Sequence, residues 1–187
     1  KLYGEAANVP SAIKNIKDSI EIIDEANAEL RNIALEMAPR ALSETGLAGA
    51  MNDLLDKTQN SASLKYHFEI LKLEKRLDEN IEIGVFRIFQ EILSNILKHA
   101  QADEINVQLF TSGGHLVLMV EDNGKGFDFK FQSDIGRLAA NKTDSTGMGL
   151  LNIAIRVEAL NGVYSFEPSA HRGTVATIRI PLQYAKN

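Results

Sequence analysis

The sequence predicts a chain of mixed α/β class, in which amphipathic helices alternate with short strands. The first observation is a helical 3–4 spacing of apolar residues at 11–37 and again at 81–100. The second is the alternation of apolar and polar residues in short segments such as 64–70, which is typical of strands with one exposed face. The third is a run of glycine and polar residues at 123–147 with weak periodicity, which indicates a functional or mobile loop.

The first helix is predicted over 11–37, where Ile13, Ile16, Ile20 and Ile23 form a narrow apolar seam. Such a seam favours packing against a second helix in an intermolecular bundle, and the alternative is a helix that lies on its own domain. Asn27 falls on the seam, where a polar residue can fix the register of two helices. Pro39 is expected to end this helix.

The remaining elements follow in order. A short helix is expected after Gly46, from Leu47 to about Lys57, and then a strand whose exposed face includes His67. A long helix at 81–100 precedes strands at 105–109 and 116–120, joined by a turn at 112–114. A last helix is expected from about Gly149 to Asn161 and should end at Gly162, in the left-handed position that follows many helices. Strands at 163–167 and 174–181 complete the prediction.

Composition excludes several classes of function. The formal net charge is −5 and no dense basic patch is visible, which argues against nucleic acid as a partner. The chain has no cysteine, so disulfides and thiolate metal sites are excluded. No apolar run approaches the roughly 20 residues of a membrane span. The chain begins at Lys1 within helix-like sequence, and we interpret it as a fragment of a longer protein.

One group of polar residues lies on the long helix. Arg87, Glu91, Asn95 and Lys98 are spaced by four, four and three residues, so they share the face opposite the apolar stripe. Glu91 and Asn95 carry oxygen atoms, which suit Mg²⁺, and the lysine carries a charge that suits phosphate. The alternative is an ordinary solvated helix face.

A second group follows a predicted strand, in the segment Glu121 to Phe127. Asp122 could accept a hydrogen bond from an exocyclic amine such as that of adenine, beside a glycine backbone that permits close approach. The alternative is a hairpin turn, which Asn-Gly sequences favour.

Two further glycine motifs have chemical potential. Gly147 and Gly149 precede a helix, where backbone N–H groups and the helix dipole favour phosphate, although a simple loop-to-helix junction would also need glycine. Gly173-Thr174 opens the last strand, and the threonine hydroxyl could contact a ligand or only cap a turn.

Taken together, the order and spacing of these motifs resemble the ATP-binding domain of sensor histidine kinases, within the ATPase superfamily that includes gyrase, Hsp90 and MutL. FRIFQEILSNILKHA is similar to the asparagine box of the family, VEDNGKGF to its first glycine box, GMGLLNIAIRVEALNG to its second, and GTVATIRIP to its terminal strand. The Gln90-Glu91 pair and Lys98-His99-Ala100 resemble the nitrate-sensor-like and DesK-like subfamily. APRALSETGLAGAMNDLL resembles the linker before the catalytic domain.

The resemblance implies roles for individual residues. Glu91 is the expected catalytic carboxylate, which assists proton transfer or orients the nucleophile, and Asn95 is the expected Mg²⁺ ligand. Asp122 is expected to read the adenine, and 128–146 would form a mobile lid. The implied ATP-binding set is Asn95, Lys98, His99, Asp122, Gly124, Gly126, Gly147, Gly149, Leu150 and Thr174.

The resemblance also implies the architecture. The expected fold is a two-layer α/β sandwich of the Bergerat type, a mixed sheet covered on one face by helices, with an N-terminal helix from a dimerisation bundle. Residues 1–40 would hold the second helix of that truncated bundle, and 41–187 the catalytic domain. None of the four histidines lies in the setting of a phosphoacceptor, so the acceptor is expected outside this fragment.

The implied activity is transfer of the ATP γ-phosphoryl group to that histidine and then to a response regulator. The expected cofactors are ATP and Mg²⁺, and the expected partners are a response-regulator receiver domain and a second copy of the full-length protein. We expect a cytoplasmic fragment without membrane contact, while attachment of the parent protein to a membrane stays open. The alternatives are an ATPase clamp of the gyrase or Hsp90 type, a serine kinase of the anti-sigma type, and a non-catalytic binding module.

Overall fold

The computed structural model describes residues 38–62, 64–73, 75–126, 145–170 and 173–185. The chain divides into two compact units, Lys1–Arg40 and Ala41–Asn187. The predicted seam helix at 11–37 and most of the predicted lid at 128–146 lie outside the described residues, so both stay predictions. The assignment of 1–40 to a dimerisation bundle also stays a prediction.

The described residues alternate between helices and strands. The helices are α1 (Ala38–Ala62), α2 (Glu79–Asn95) and α3 (Ser145–Ala159), and α2 continues directly into a π-helical turn, Ile96–Ala100. The strands are β1 (Lys65–Leu71), β2 (Glu104–Ser112), β3 (His115–Asp122), β4 (Val163–Pro168) and β5 (Thr174–Pro181). None of the helices among these residues is long and apolar enough to cross a membrane.

The strands form one mixed sheet in the order β1-β2-β3-β5-β4. The β1 and β2 strands are parallel, and the other neighbours are antiparallel. Along β2, Ile105, Val107 and Leu109 are fully buried, whereas Glu104 and Asn106 are exposed. This alternation shows that one face of the sheet carries the core while the other faces solvent. The predicted mixed sheet with helices packed on it is confirmed.

Helix α2 begins earlier than the apolar spacing predicts. Asp78 is its N-cap, and its side chain accepts a hydrogen bond of 3.0 Å from the Asn80 backbone N–H. The apolar stripe of α2 is buried, as the spacing predicts. The last five residues of the predicted helix, Ile96–Ala100, form a π-helical turn instead of continuing as α-helix. A π turn widens the helix, so Lys98 does not follow regularly from Asn95 on one face.

The sequence predicts glycines with positive φ in two turns, and the structure confirms one of these predictions. Gly113 and Gly114 have φ values of 56° and 76° and form the two-residue connection between β2 and β3, as predicted. The prediction for Gly162 is wrong, because Asn161 holds the left-handed position, with φ 53°. Gly162 is instead needed for close packing, since a Cβ there would lie 2.3 Å from Ile180 Cδ1.

Helix α1 is interrupted at Gly46, whose φ of 73° and ψ of 178° are not helical. The predicted start of a helix at Leu47 is therefore confirmed, but this helix continues to Ala62 and not to Lys57. Pro39 lies in the first turn of α1, where its missing N–H costs no helical hydrogen bond.

Candidate functional site

The α2 and α3 helices meet at the polar face of α2. A Cβ built at Gly149 would lie 2.7 Å from Glu91 Oε1 and 2.8 Å from Asn95 Oδ1. Only a glycine therefore allows the first turns of α3 to lie against these two side chains in their present positions. The predicted shared face of Glu91 and Asn95 is present, and it adjoins the second glycine motif.

The end of the π-helical turn is held by the first glycine motif. The backbone N–H of Lys125 donates to the carbonyl oxygen of Ala100 at 2.8 Å. A Cβ at Gly124 would lie 2.3 Å from the same oxygen, so the two backbone segments are in direct contact. The loop after β3 therefore adjoins the end of the helix that carries Asn95.

Asp122 is the last residue of β3 and is only 3 % exposed. Its Oδ1 accepts the backbone N–H of Gly124 at 2.9 Å, and its Oδ2 accepts that of Thr174 at 3.2 Å. Burial raises the pKa of this carboxyl, the two N–H groups oppose that effect, and the charge of Glu121 adds to it. Each oxygen keeps a lone pair that can accept another donor.

Gly173 lies against Asp122, a contact that the sequence did not predict. Its φ is 82°, and a Cβ would lie 2.0 Å from the Asp122 carbonyl oxygen and 2.6 Å from Oδ1. A Cβ at Gly126, where φ is 72°, would lie 3.2 Å from the Gly173 carbonyl oxygen. Thr174 contacts the aspartate through its backbone, whereas the predicted contact of its hydroxyl with a ligand stays a prediction. The sequence did contain an indication of this contact, because a glycine directly before Thr174 permits another backbone segment to approach closely.

Asn123 is a second residue whose role was missed. Its Oδ1 accepts the backbone N–H groups of Asp103 and Glu104 at 3.1 and 3.2 Å, and its own N–H donates to the Glu104 carbonyl at 3.2 Å. This asparagine ties the loop to the start of β2. The Asn-Gly pair was open to interpretation as a hairpin turn, but the side chain here joins elements about twenty residues apart in sequence.

The remaining predicted residues lie around these contacts. Lys98 and His99 are exposed on the π-helical turn. Leu150 is half-buried on α3, and Gly147 lies in the first turn of that helix. Helix α3 begins at Ser145, four residues before the predicted start, so it includes the last two residues of the predicted lid.

The oxygen atoms on α2 fit a magnesium site of the kind that nucleotides complete. Asn95 Oδ1 and Glu91 Oε1 both lie beside Gly149, and both are hard ligands. Mg²⁺ commonly takes only one or two protein oxygens and completes its coordination with phosphate and water. The residues present are therefore compatible with the predicted ion.

Comparison with known proteins shows the family of the chain. Residues 80–184 match the sequence model of the family described as histidine kinase-, DNA gyrase B-, and HSP90-like ATPase. The chain is 33 % identical over 147 residues to the signal transduction histidine-protein kinase/phosphatase DegS of Bacillus subtilis (strain 168). It is 27 % identical over 191 residues to the oxygen sensor histidine kinase NreB of Staphylococcus carnosus (strain TM300).

The alignments cover 77 % and 95 % of this chain but only 36 % of DegS and 52 % of NreB. The fold is similar to that of full-length ShkA, solved in complex with AMPPNP, with a TM-score of 0.60 and 17 % identity. That alignment covers 76 % of this chain and 30 % of ShkA. The resemblance predicted from the motifs is confirmed: the chain belongs to the histidine kinase-, DNA gyrase B- and HSP90-like ATPase family, and its ATP-binding domain is of the histidine kinase type.

Proposed function

We propose that this chain is the catalytic part of a two-component sensor kinase, which transfers the γ-phosphoryl group of Mg·ATP to a histidine outside the chain. One observation carries the proposal. Gly149 meets Glu91 and Asn95 on α2, and Gly124 meets Ala100 at the end of the same helix. The motifs that could hold phosphate and purine therefore border one stretch of α2 and the π turn that follows it.

Each side chain would contact a different part of Mg·ATP. Asp122 would accept the exocyclic amine of the purine, while its two backbone hydrogen bonds hold the carboxylate in place. Asn95 would hold the magnesium ion, which neutralises phosphate charge when bound. Lys98 and His99 are exposed at the end of this helix and would face the phosphates. Catalysis of phosphoryl transfer is chiefly positioning and charge stabilisation, so this set of residues is sufficient in kind.

Glu91 is the proposed catalytic carboxylate. It lies one helical turn before Asn95, on the side of the predicted phosphate site that is farther from Asp122. From there it would orient the acceptor imidazole or take its proton. The same carboxylate would activate water in a clamp-type ATPase, so its presence alone does not separate the two mechanisms.

The proposed partners are the domain that carries the phosphoacceptor histidine and the receiver domain that accepts the phosphoryl group from it. Of the four histidines, His67 is exposed on β1 beside Glu69, and His115 contacts the Gly113 carbonyl in a turn. Neither setting is that of a helix in a bundle, and His99 belongs to the proposed nucleotide site. Homodimerisation of the full-length protein and a cytoplasmic location of this fragment are proposed from the family resemblance, as the acceptor is.

Calorimetric titration with Mg·AMPPNP tests the nucleotide site. Asn95→Ala and Asp122→Ala should each weaken binding at least about tenfold, because each removes a direct or metal-mediated contact. Asn106→Ala, an exposed asparagine on the open face of the sheet, is the matched control. In EDTA the difference between Asn95→Ala and the wild type should shrink, since that residue acts through the ion. Equal affinities for all variants would refute the site.

The reaction is tested by incubating the chain with radiolabelled ATP and the histidine-bearing domain of the full-length protein. A label lost from the product in acid indicates phosphohistidine, whereas an acid-stable label indicates the serine kinase alternative. Rapid release of inorganic phosphate without an acceptor would favour the clamp-type ATPase.

A further inference from the structure

The α2 and α3 helices pack in opposite directions, which fixes the pairs of residues that face each other. At one end of their contact, a Cβ at Gly84 would lie 2.7 Å from Leu160 Cδ1. At the other end, Gly149 lies against Glu91 and Asn95. Residue numbers rise along α2 while they fall along α3, so the helices are antiparallel.

Arg87 and Arg156 lie between these two contacts, one on each helix. Arg87 is three residues after Gly84, and Arg156 is four residues before Leu160, so helical spacing places both on the sides that border the seam. Arg87 is half-buried there and Arg156 is exposed. Burial lowers the pKa of Arg87 below its ordinary value, and the positive charge of Arg156 lowers it further. The two side chains are therefore close enough across the seam for their charges to interact.

This pair of like charges is unusual for a helix seam, where neighbouring residues of unlike charge stabilise the contact. The half-buried Arg87 donates one hydrogen bond of 3.1 Å, to the neutral Gln90 Oε1. Among the described residues, the ion pairs involve neither Arg87 nor Arg156. A guanidinium has five N–H donors, so most of the capacity of both groups is available to an anion. A bound carboxylate would relieve both the repulsion and the cost of burying Arg87.

The position of the pair favours a particular occupant. Arg87 precedes Glu91 by one turn, about 6 Å along the helix, and Asn95 by about 12 Å. The proposed metal contact is at Asn95 and the proposed purine contact lies beyond it, so the arginines are on the opposite side of Glu91. An acceptor protein must approach Glu91 from a side that the nucleotide leaves open. Two adjacent guanidinium groups are complementary to carboxylates, which they can bind in bidentate fashion.

We propose that Arg87 and Arg156 form a docking point for a carboxylate-bearing segment of the domain that presents the acceptor histidine. The inference rests on the proposed function and adds to it the residues that recognise the protein substrate. The arginines would act before phosphoryl transfer, by holding the incoming domain next to Glu91. They would contribute to docking and leave nucleotide affinity unaffected.

The test measures docking and nucleotide binding separately. The probe is the histidine-bearing domain of the full-length protein, with its acceptor histidine replaced by glutamine so that no transfer occurs. Calorimetry gives its affinity for the AMPPNP-loaded chain in the wild type, Arg87→Gln, Arg156→Gln and the double variant. Arg179→Gln, which removes an exposed arginine on the open face of the sheet, is the matched control.

We expect each single variant to weaken docking about tenfold, in line with the loss of a charge-assisted hydrogen bond. The control variant should dock as the wild type does, and all variants should bind AMPPNP with unchanged affinity. Arg156→Lys should recover only part of the docking, because it restores the charge but not the bidentate geometry. Melting temperatures of the glutamine variants should be unchanged or slightly raised, since like-charge repulsion is removed.

Three results would overturn the inference. The first is wild-type docking by the double variant, which would leave the proposed function intact if the wild type still transfers phosphate to the unmodified acceptor domain. The second is a loss of AMPPNP affinity parallel to the loss of docking, which would make the arginines nucleotide ligands. The third is a wild-type chain that binds AMPPNP but neither docks the domain nor phosphorylates it, which would refute the proposed function as well.

Discussion

Gly149 on α3 and Asn95 on α2 occupy adjoining space, since a single methyl group at the glycine would lie 2.8 Å from the Asn95 amide oxygen. These residues are more than fifty positions apart in sequence. Their contact joins a motif that could bind a metal ion to one that could bind phosphate. It also makes the orientation of Asn95 sensitive to the size of residue 149.

Gly149→Ala should weaken binding of Mg·AMPPNP by about tenfold to a hundredfold while the fold is retained. The atoms that the new methyl group would meet are the ends of two side chains, Glu91 and Asn95, which can rotate away. A metal ligand displaced by about 1 Å loses much of its effect. Gly84→Ala crowds the other end of the same helix pair, at Leu160, and should leave affinity unchanged. Similar affinities for both variants in calorimetry would contradict the prediction.

Gly124→Ala should destabilise the fold, because its Cβ would lie 2.3 Å from the Ala100 carbonyl oxygen. Backbone atoms cannot rotate aside, so we expect a loss of about 1–3 kcal/mol in the free energy of unfolding. Urea denaturation of Gly124→Ala and Gly113→Ala separates this clash from a backbone effect. Gly113 has positive φ but open space around its Cβ position. A larger loss at Gly113 would show that the contact with Ala100 is easily relieved.

The buried Asp122 carboxyl should give stability a measurable pH dependence. Its pKa is raised in the folded chain, chiefly by burial, so the folded state binds the proton more tightly than the unfolded state does. Its contribution to stability is therefore fully present below the ordinary aspartate pKa of about 3.9 and is lost as pH rises through the raised pKa. Asn cannot ionise, so the stability of the wild type relative to Asp122→Asn should fall across this window and then level off.

Urea denaturation of both proteins from about pH 3 to about pH 7 measures this difference. Asp53→Asn changes an exposed aspartate of α1 and is the control for the general effect of charge. If the wild type instead became more stable relative to Asp122→Asn as pH rises, the raised pKa of Asp122 would be contradicted.

The ion pair between Arg76 and Glu82 should contribute to the stability of the domain. Glu82 is 4 % exposed, its Oε2 accepts from Arg76 at 2.8 Å, and its Oε1 accepts the Leu77 N–H at 3.3 Å. Arg76 also donates to the Leu42 carbonyl of α1 at 2.8 Å. Arg76→Met leaves a buried carboxylate without its cation, and we expect a loss of about 1–2 kcal/mol, reduced because the arginine is partly exposed.

Adding Glu82→Gln to Arg76→Met should recover part of that loss, since no buried charge remains. Thermal unfolding of the single and double variants gives the coupling, and Arg179→Met serves as a surface control. A double variant that is less stable than Arg76→Met would show that Glu82 acts mainly through the Leu77 N–H.

Local sequence patterns determined the elements and the chemistry of their polar residues. The 3–4 spacing of apolar residues set the buried stripe of α2, and two adjacent glycines set the turn between β2 and β3. These features depend on neighbours in sequence, so periodicity and turn preference were sufficient to predict them. The candidate residues Glu91, Asn95 and Asp122 were also recognised from their types and spacing, with the support of a family resemblance.

Tertiary structure decided which distant residues meet. The sequence did not predict that Gly173 must be small because Asp122 lies against it, or that Asn123 ties its loop to the start of β2. It also did not predict the π-helical turn or that the charge of Arg156 acts on Arg87 across two helices. Each of these depends on the packing of segments far apart along the chain, and the spacing of residues within one segment holds no information about that packing.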